Sequence, residues 1–303
     1  MPSIATWVRP STVSFIRHLP AMRGRGRLAK TINDALLGLG ADPHQVSKMS
    51  AGHFLKVDCR LFSHCLAPYT GTTGNDDLVE VLVHYLHRDG IALDVGANVG
   101  FITTRLAVAA QELGARVISV EPFQQNTDWL AENLRLNHLE EVVTVVPVGL
   151  SSSPGAATLL LREDFFTGSS IGNASVAEND KEERFQKVTI RLETLDALWD
   201  AQGYGRLDVV KVDIEGHEDR FLIGGARTLA ANRPVIMMEV NRWFYQQRGV
   251  EFDSVIPPLL PPGYRFFVSA SDEIKSLADC HRGDVLLVPE EKVAMLNSAP
   301  RKG

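Results

Sequence analysis

A strand, a tight turn and the start of a helix are encoded by the stretch Leu93-Asp94-Val95-Gly96-Ala97-Asn98-Val99-Gly100. The apolar run over residues 91–95 predicts a buried strand, and the pattern after the turn predicts a helix over 98–113. Glycines allow the backbone to turn sharply and to approach a ligand closely. The N-terminus of the helix offers unpaired N–H groups and a partial positive charge. The stretch therefore predicts a site for a carboxylate or a phosphate at this turn.

The spacing of the glycines bears on which ligand the turn binds. A dinucleotide-binding turn has the pattern G-x-G-x-x-G, whereas this turn reads G-x-N-x-G with an acid two residues before the first glycine. Without a pyrophosphate to accommodate, the second glycine is not required, and Asp94 would orient the turn and meet the ammonium group of the ligand. The predicted cofactor-binding residues of this turn are Asp94, Gly96, Ala97, Asn98, Gly100 and Phe101. A non-catalytic or NAD-type nucleotide-binding module is the alternative.

Outward from the turn, short apolar strands alternate with helices. Strands are predicted over residues 91–95, 116–120, 142–148, 207–213 and 234–240, with helices between them. Continuous apolar strands separated by helices are typical of a parallel sheet that is covered on both faces. Residues 264–268 and 284–288 are predicted to form a closing, hairpin-like pair. Two further strands, over 156–161 and 187–192, flank a long polar loop of the kind that is more often functional than idle.

The second strand of this series ends in Val120-Glu121-Pro122. A carboxylate at the end of the second strand of a nucleotide-binding α/β fold can accept hydrogen bonds from both ribose hydroxyls. Glu121 follows Gly96 by 25 residues, which is compatible with that role. Glu121 and Pro122 are therefore predicted to contact the nucleoside part of a cofactor.

Three acids and a histidine lie within the segment Asp213-Ile214-Glu215-Gly216-His217-Glu218. The segment follows a buried strand and opens a helix, so it lies at the carboxyl end of the sheet, where open α/β sheets bind their ligands. Asp213, Glu215 and His217 are the candidate catalytic residues, and Asp213 is also a candidate contact to the cofactor. Glu218 is expected to complement the helix dipole. Glu239, at the end of the next strand, is a further candidate.

These segments resemble the FkbM family of methyltransferases over about residues 76–270. The resemblance rests on residues 93–100, Val120-Glu121-Pro122, Asn133-Leu134-Arg135-Leu136-Asn137, Leu195-Asp196-Ala197-Leu198 and residues 208–218. It implies a class I, Rossmann-like methyltransferase fold with a seven-stranded, mostly parallel sheet whose last strand is antiparallel. It also implies S-adenosylmethionine as the methyl donor and O-methylation of a sugar, glycolipid or natural-product hydroxyl. Ser170, in Gly168-Ser169-Ser170, resembles the small-residue segment of the family's loop near the cofactor, so it joins the predicted cofactor contacts.

The chemistry implied by the resemblance needs an acceptor oxygen that is aligned with the donor's methyl group. A sugar hydroxyl is a weak nucleophile, so a base helps. Asp213, Glu215 and His217 are the candidates, and the sequence does not decide between them. Mg²⁺ held by carboxylates could assist, but no oxygen-ligand cage is visible in the sequence, so no metal ligands are predicted.

The bulk composition disfavours several other classes of protein. The chain has 303 residues and a formal net charge of −6, which is a poor basis for a protein that mainly grips nucleic acid. A nucleic-acid methyltransferase is the second alternative. Those that act on base amines usually carry an [Asp/Asn]-Pro-Pro-aromatic turn where this chain reads Asp213-Ile214-Glu215-Gly216. Three cysteines argue against a disulfide framework and suggest a reducing, cytoplasmic compartment. No apolar run approaches the roughly 20 residues that span a bilayer.

Residues 1–75 are predicted to form a helical or irregular extension, ahead of a methyltransferase domain over 76–303. Six Arg and Lys residues and no acid precede Asp34, a pattern that also occurs in targeting peptides and in helices that lie on membrane surfaces. A solvated helical extension is the simpler interpretation. The expected partner is a small-molecule or carbohydrate acceptor rather than nucleic acid. The sequence does not decide whether the protein forms a homodimer.

Overall fold

The computed structural model describes residues 4–20, 24–73, 76–161, 170–171, 186–281, 283–296 and 298. An N-terminal segment contains helices α1 (Ile4–His18) and α2 (Arg25–Gly38), strands β1 (His44–Lys48) and β2 (Phe54–Asp58), and the short helices α3 (Phe62–Cys65) and α4 (Ala67–Thr70). No helix within the described ranges is long and apolar enough to cross a membrane.

The rest of the chain alternates strands with helices, as the sequence predicts. In chain order its elements are α5 (Asp76–Tyr85), β3 (Ile91–Val95), α6 (Phe101–Leu113), β4 (Arg116–Val120), α7 (Gln124–Leu136), β5 (Val143–Val146), β6 (Gly149–Leu150), β7 (Gly155–Leu161), β8 (Ser170–Ile171), β9 (Gln186–Glu193), α8 (Leu195–Gln202), β10 (Leu207–Val212), α9 (Glu218–Gly224), α10 (Ala226–Asn232), β11 (Val235–Val240), α11 (Arg242–Gln247), α12 (Phe252–Val255), β12 (Tyr264–Ser269), β13 (Asp272–Ile274), β14 (Gly283–Pro289) and α13 (Val293–Leu296). Short 3₁₀-helices cover Pro257–Leu259, Leu277–Asp279 and Glu290–Lys292.

Eight strands form the central sheet, in the order β13-β12-β14-β11-β10-β3-β4-β5. Strands β11, β10, β3, β4 and β5 are parallel, and β14 runs antiparallel to β11. Strand β12 pairs with β14, so the predicted closing pair is confirmed. The expected number of seven strands is wrong, because the three-residue strand β13 pairs with β12 and adds an eighth strand at the edge. A strand of three residues is too short to show an alternating pattern in the sequence.

Helices cover both faces of the central sheet, because the side chains of a strand point alternately to either side. On one face, Leu93 of β3 belongs to a buried cluster with Trp199 of α8 and Phe221 of α9. On the other face, the neighbouring Ala92 belongs to a second cluster with Leu106 of α6. The predicted sheet with helices on both faces is therefore confirmed.

A second, four-stranded sheet has the order β6-β9-β7-β8. The strands predicted over 156–161 and 187–192 are present as β7 and β9, which pair with each other in antiparallel fashion. The residues of this sheet come between β5 and α8 in the sequence, so the sheet is an insertion into the alternating series of strands and helices. The long loop predicted between β7 and β9 lies outside the described residues, apart from β8.

Strands β1 and β2 form an antiparallel hairpin where the sequence predicts helical or irregular structure. In the described chain, two asparagine side chains bind the free edge of β2, those of Asn133 in α7 and of Asn137, which caps the C-terminus of α7. Asn133 Oδ1 accepts the N–H of Lys56 at 2.6 Å. Asn137 bonds both backbone groups of Phe54 at 2.7 Å. Residues four apart lie on one face of a helix, so these asparagines take the place of a neighbouring strand.

Two arginines of the N-terminal segment bind backbone oxygens of neighbouring elements. Arg9 is 2% exposed and donates to the backbone oxygen of Asp42. Arg17 donates from Nε to the oxygen of Pro68 at 2.7 Å and from Nη2 to that of Lys48 at 2.8 Å. These bonds hold α1 against the hairpin and α4, so part of the basic stretch has a structural role.

Candidate active site

A cavity of about 230 Å³ lies at the carboxyl ends of β3, β4 and β10. It brings together residues from all three segments that the sequence singles out. The predicted site residues on its walls are Gly96, Ala97, Asn98, Phe101, Glu121, Pro122, Asp213 and Glu215. Because the ligands of open α/β sheets bind at this edge, the cavity is the candidate site for the cofactor.

The turn after β3 needs two glycines for two different reasons. Gly96 has a φ of 75°, and a Cβ at this position would lie 1.9 Å from the carbonyl oxygen of Asp213. Its missing side chain therefore lets the ends of β3 and β10 touch. Gly100 has a φ of 88°, and a Cβ there would lie 2.3 Å from Leu130 of α7. Gly100 does not reach the described wall of the cavity, so its contacts are those of a packing residue.

Asp94 lies beneath the turn and is 0% exposed. Its Oδ2 accepts a hydrogen bond from Thr103 Oγ1 at 2.6 Å, and its Oδ1 lies 3.7 Å from Lys211 Nζ. Burial raises the pKa of Asp94, and the Lys211 ammonium opposes this shift. Asp94 therefore has the contacts of a residue that holds the turn in its orientation. Its direct contact with a ligand remains a prediction.

Lys211 on β10 is a cavity residue that the sequence interpretation missed. Its Nζ lies 3.1 Å from the backbone oxygen of Gly96, 3.7 Å from Asp94 and 3.5 Å from Asp213. Burial alone would lower the pKa of Lys211, but the carboxylates of Asp213 and Asp94 raise it. A signal was present, because a lysine inside an apolar strand has to be paired with a charge.

Glu121 follows β4 and is 4% exposed. Its Oε2 accepts the N–H of Asn98 at 2.9 Å. Its Oε1 accepts the N–H of Phe123 at 3.0 Å and Nδ2–H of Asn126 at 3.2 Å. Burial raises the pKa of Glu121, and these donors oppose the shift. A carboxylate has about four acceptor positions, so the three donors leave room for about one ribose hydroxyl, at Oε2, rather than two.

Glu218 braces the turn that follows β10. It is 1% exposed, and its Oε1 accepts the N–H groups of Ile214 at 3.1 Å and Gly216 at 3.3 Å. Its Oε2 accepts the hydroxyl hydrogen of Tyr245 at 2.9 Å. Glu218 therefore fixes the backbone of this turn, a role beyond the expected interaction with the helix dipole.

Three carboxylates, those of Asp213, Glu215 and Glu239, form a cluster, and the first two of them line the cavity. One oxygen of each lies within 4.8 Å of the others. Burial, followed by the charges of Asp213 and Glu215, raises the pKa of Glu239 far enough to keep it protonated at neutral pH. The buried Oε2 of Glu239 has no hydrogen-bond partner among the described residues. Carboxylate oxygens are ligands for Mg²⁺, so this group could hold a cation that the sequence did not predict.

His217 and Ser170 stand apart from the other predicted site residues. His217 is half-buried and lies outside the described wall of the cavity. Burial, with Arg248 as the second cause, lowers the pKa of His217 to about 4, so the ring is neutral at neutral pH. Ser170 lies in β8, and its side chain falls outside the described part of the chain.

Regions outside the three predicted segments also line the cavity. His64 and Thr73 come from the N-terminal segment, and Leu159 comes from the second sheet. His64 is 4% exposed, and its ring centre lies 4.7 Å from that of Phe101. Sequence reasoning missed these residues because none of them belongs to a motif, and their place depends on how distant segments pack.

Residues 94–266, more than half of the chain, match the family model described as the Methyltransferase FkbM domain. The chain is 28% identical over 168 residues to the hexuronic acid methyltransferase AglP of Haloferax volcanii, covering 54% of this chain and 62% of the relative. It is 32% identical over 158 residues to the methyltransferase sdnD of Sordaria araneosa, covering 44% of this chain and 59% of the relative. The chain thus spans less than two thirds of the length of either curated relative.

Solved structures that are similar to this chain at low sequence identity include two methyltransferases. The methyltransferase FkbM from Methylobacillus flagellatus is 15% identical with a TM-score of 0.44, covering 93% of this chain and 59% of that one. The O-methyltransferase from Bacillus cereus, solved in complex with S-adenosylhomocysteine, is 14% identical with a TM-score of 0.40, covering 92% and 97%.

Proposed function

The chain belongs to the FkbM family of S-adenosylmethionine-dependent methyltransferases, and from this premise we propose that it methylates a hydroxyl oxygen of a sugar, glycolipid or other natural product. The observation that carries the proposal is the cluster of Asp213, Glu215 and Glu239, of which the first two line the cavity. A carboxylate at this place can take up the proton that a hydroxyl loses on methylation. The relative named hexuronic acid methyltransferase, at 28% identity, supports a carbohydrate acceptor.

The residues of the cavity fit S-adenosylmethionine in charge. The free N–H groups at the start of α6 suit the carboxylate of the cofactor, and Glu121 has room for a ribose hydroxyl. Carboxylates outnumber the ammonium of Lys211 around the cavity, which suits a sulfonium cation. We assign the amino-acid end of the cofactor to the turn after β3 and the nucleoside end to Glu121 and Pro122, with Asp94 supporting the turn.

When bound, S-adenosylmethionine supplies a methyl group on a positively charged sulfur. The chain has to place the acceptor oxygen in line with that group, keep water out and take up a proton. We assign the proton to Asp213 first, with Glu215 as the second candidate and His217, outside the described cavity wall, as the third. Lys211 lies 3.5 Å from Asp213 and stabilises its negative charge. An oxygen of Glu239 lies within 4.8 Å of one of Asp213, and the negative charge of Asp213 contributes to the raised pKa of Glu239.

We also propose that the reaction needs no divalent cation. The ammonium of Lys211 and the proton on Glu239 already offset part of the negative charge of the three carboxylates. Methyl transfer should therefore proceed unchanged in EDTA. A loss of activity in EDTA that added Mg²⁺ restores would contradict this proposal.

Two measurements test the proposed function. In a thermal-shift assay, S-adenosylhomocysteine should raise the melting temperature and NAD should not, and no shift with either ligand would refute the cofactor site. The protein and S-adenosylmethionine are then incubated with sugars, glycolipids, macrolide-like alcohols and RNA, and products are read by mass spectrometry. We expect methylation of a hydroxyl acceptor by the wild type and none by Asp213→Ala. Methylation of RNA alone would refute the proposed acceptor class.

A further inference from the structure

A second cavity, named the side cleft, adjoins the cofactor cavity. It has a volume of about 470 Å³ and shares His64, Asn98 and Val99 with the first cavity. This volume lies within the range of about 300–1,000 Å³ that is typical of small-molecule sites. The two cavities therefore have a common wall, and the proposed cofactor contacts leave the side cleft without an occupant.

The side cleft is built between the N-terminal segment and helix α7. The hairpin and the turn after it supply His44, Asp58 and Arg60, and α7 supplies Asn126 and Trp129. The first three residues lie outside the stretch 94–266 that matches the family model. One wall of the side cleft thus belongs to the part of the chain that lies outside the shared catalytic domain, where acceptor-specific contacts are expected.

The lining of the side cleft combines an aromatic ring with planar hydrogen-bonding groups. Trp129 is half-buried, and the ring of His44 meets its ring edge-on at 5.5 Å between centres. The amide of Asn126, the carboxylate of Asp58 and the guanidinium of Arg60 also line the side cleft. A sugar ring has an apolar C–H face that packs against an aromatic ring and a rim of hydroxyls that bond to such planar groups. An aliphatic acceptor would take these groups out of water without offering them new hydrogen bonds.

The polar groups of the side cleft are held in place before any ligand binds. Asp58 Oδ1 accepts a hydrogen bond from Arg60 Nε at 2.9 Å. Lys56 pairs with Glu132, and its Nζ lies 4.8 Å from the centre of the Trp129 ring. Groups that are fixed in this way lose little freedom on binding. Because the two cations already have acidic partners, the side cleft suits an uncharged ligand with many hydroxyls.

His64 stands between the two cavities. Its Nδ1 faces the backbone N–H of Asp58 at 3.4 Å, and burial lowers its pKa to about 4. The ring is therefore neutral, and with Nδ1 as the acceptor its hydrogen is on Nε2. A neutral hydrogen-bond donor at this place can bind an acceptor hydroxyl without adding positive charge beside the sulfonium.

We propose that the side cleft binds the sugar residue next to the one that is methylated, so that the acceptor is a disaccharide or longer glycoside rather than a single sugar. This assignment rests on the proposed sugar O-methylation and adds the size of the acceptor to it. The ring to be methylated lies in the cofactor cavity beside Asp213, and the acceptor passes His64 into the side cleft. Residues 44–64 therefore select the acceptor.

Filling the side cleft with a large side chain tests the proposal. Gln125 is an exposed residue on its wall, whereas the neighbouring Gln124 is also exposed but lies outside the described wall. Gln125→Trp should block the side cleft, and Gln124→Trp is the matched control. With methyl glycosides of mono- and disaccharides as probes, the KM for disaccharides should rise at least about tenfold in Gln125→Trp and stay near the wild-type value in Gln124→Trp. Equal KM values in the two variants would overturn the proposal.

A second variant removes the aromatic wall instead of filling the space. Trp129→Leu should also raise the KM for disaccharides, while the affinity for S-adenosylhomocysteine, measured by isothermal titration calorimetry, stays near the wild-type value. Retained cofactor affinity shows that the variant is folded. An unchanged KM in folded Trp129→Leu would contradict the role of the ring.

Failure of this proposal can be told apart from failure of the proposed function. Saturation-transfer NMR of the same glycosides, on protein loaded with S-adenosylhomocysteine, reports binding without methyl transfer. Binding of disaccharides to the wild type but not to Gln125→Trp, without any methyl transfer, supports the side cleft and refutes sugar O-methylation. Methylation of sugars at equal rates by both tryptophan variants supports the function and refutes the side cleft. Lack of disaccharide binding to the wild type also refutes the side cleft.

Discussion

Glu121 and Glu239 lie at the ends of two strands of the same sheet, yet their surroundings are opposite. Burial raises the pKa of both carboxyl groups. Around Glu121 the protein places three N–H donors, which bind both of its oxygens. Around Glu239 it places two further carboxylates, and one oxygen of Glu239 has no partner among the described residues.

The difference shows that a place at the end of a strand does not by itself set the role of a carboxylate. Donors stabilise the ionised form and fix its orientation, which suits a permanent contact with a cofactor hydroxyl. Neighbouring negative charges favour the protonated form, which suits a group that exchanges protons. We therefore assign binding to the Glu121 side of the cavity and chemistry to the Glu239 side, and the following variants test this division.

The largest effect is expected on the Glu239 side, from Asp213→Asn. This variant lacks the proposed proton acceptor, so kcat should fall by about 10²- to 10⁴-fold. The affinity for S-adenosylhomocysteine should stay close to that of the wild type. Steady-state kinetics and calorimetry on the same preparation measure both quantities. Glu112→Gln, on the exposed surface of α6, is the control, and an undiminished kcat in Asp213→Asn would move the proton acceptor to Glu215 or His217.

On the Glu121 side, Glu121→Ala should weaken cofactor binding more than turnover. Loss of a charged hydrogen-bond acceptor costs about 1.5–3 kcal/mol, which corresponds to a Kd for S-adenosylhomocysteine that is about 10- to 100-fold higher. The kcat at saturating donor should change less. Glu121→Gln keeps the shape of the side chain and should give an intermediate Kd in the same titration. A normal Kd in Glu121→Ala would refute the ribose contact and with it this half of the comparison.

The next variant concerns Asn133 in α7, the helix that follows Glu121 in the chain. Its side chain binds the backbone of the hairpin formed by β1 and β2. Asn133→Ala would leave the N–H of Lys56 and the backbone oxygen of Val99 unpaired. We expect the free energy of unfolding to fall by about 1–3 kcal/mol, as measured by urea denaturation. Asn137→Ala is the comparison variant, and it should cost less because water can replace bonds at this more exposed position. Equal losses in the two variants would mean that burial does not decide the effect.

The smallest effect is expected from Glu239→Gln, as a change of stability with pH. Because the pKa of Glu239 is raised in the folded protein, the folded chain keeps a proton that the unfolded chain releases above about pH 4.3. The wild type therefore loses stability as the pH rises past this value, and the uncharged amide does not. We expect Glu239→Gln to melt higher than the wild type at pH 8, by roughly 2–4 °C for each 1 kcal/mol, and to lose this advantage near pH 4. A pH-independent difference would show that Glu239 is ionised in the fold.

The sequence by itself determined the α/β series, the three segments at the ligand-binding edge and the family. These properties are local, because an apolar strand, a glycine that must adopt a positive φ and an acid after a strand are each visible within a few neighbouring residues. The eighth strand, β13, was not predicted, because a strand of three residues is too short to show an alternating pattern of apolar and polar residues. The hairpin over residues 44–58 was not predicted, because the edge of β2 is bound by Asn133 and Asn137, in α7 and at its C-terminal cap, which lie far along the chain.

Only the tertiary structure decided which charged groups meet. Lys211 lies within the segment 208–218, yet only the fold shows that it pairs with Asp94 and Asp213. The sequence marks Glu239 only as an acid at the end of a strand, and the fold brings it close to Asp213 and Glu215. His64 reaches the cavity wall from the N-terminal segment, which carries none of the motifs. His217 lies two residues from Glu215 in the chain, yet it stays outside the described wall of the cavity. The physical reason is that burial and electrostatic environment are sums over groups from several strands and helices. These sums depend on how the elements pack in three dimensions, so they cannot be read from the spacing of residues along the chain.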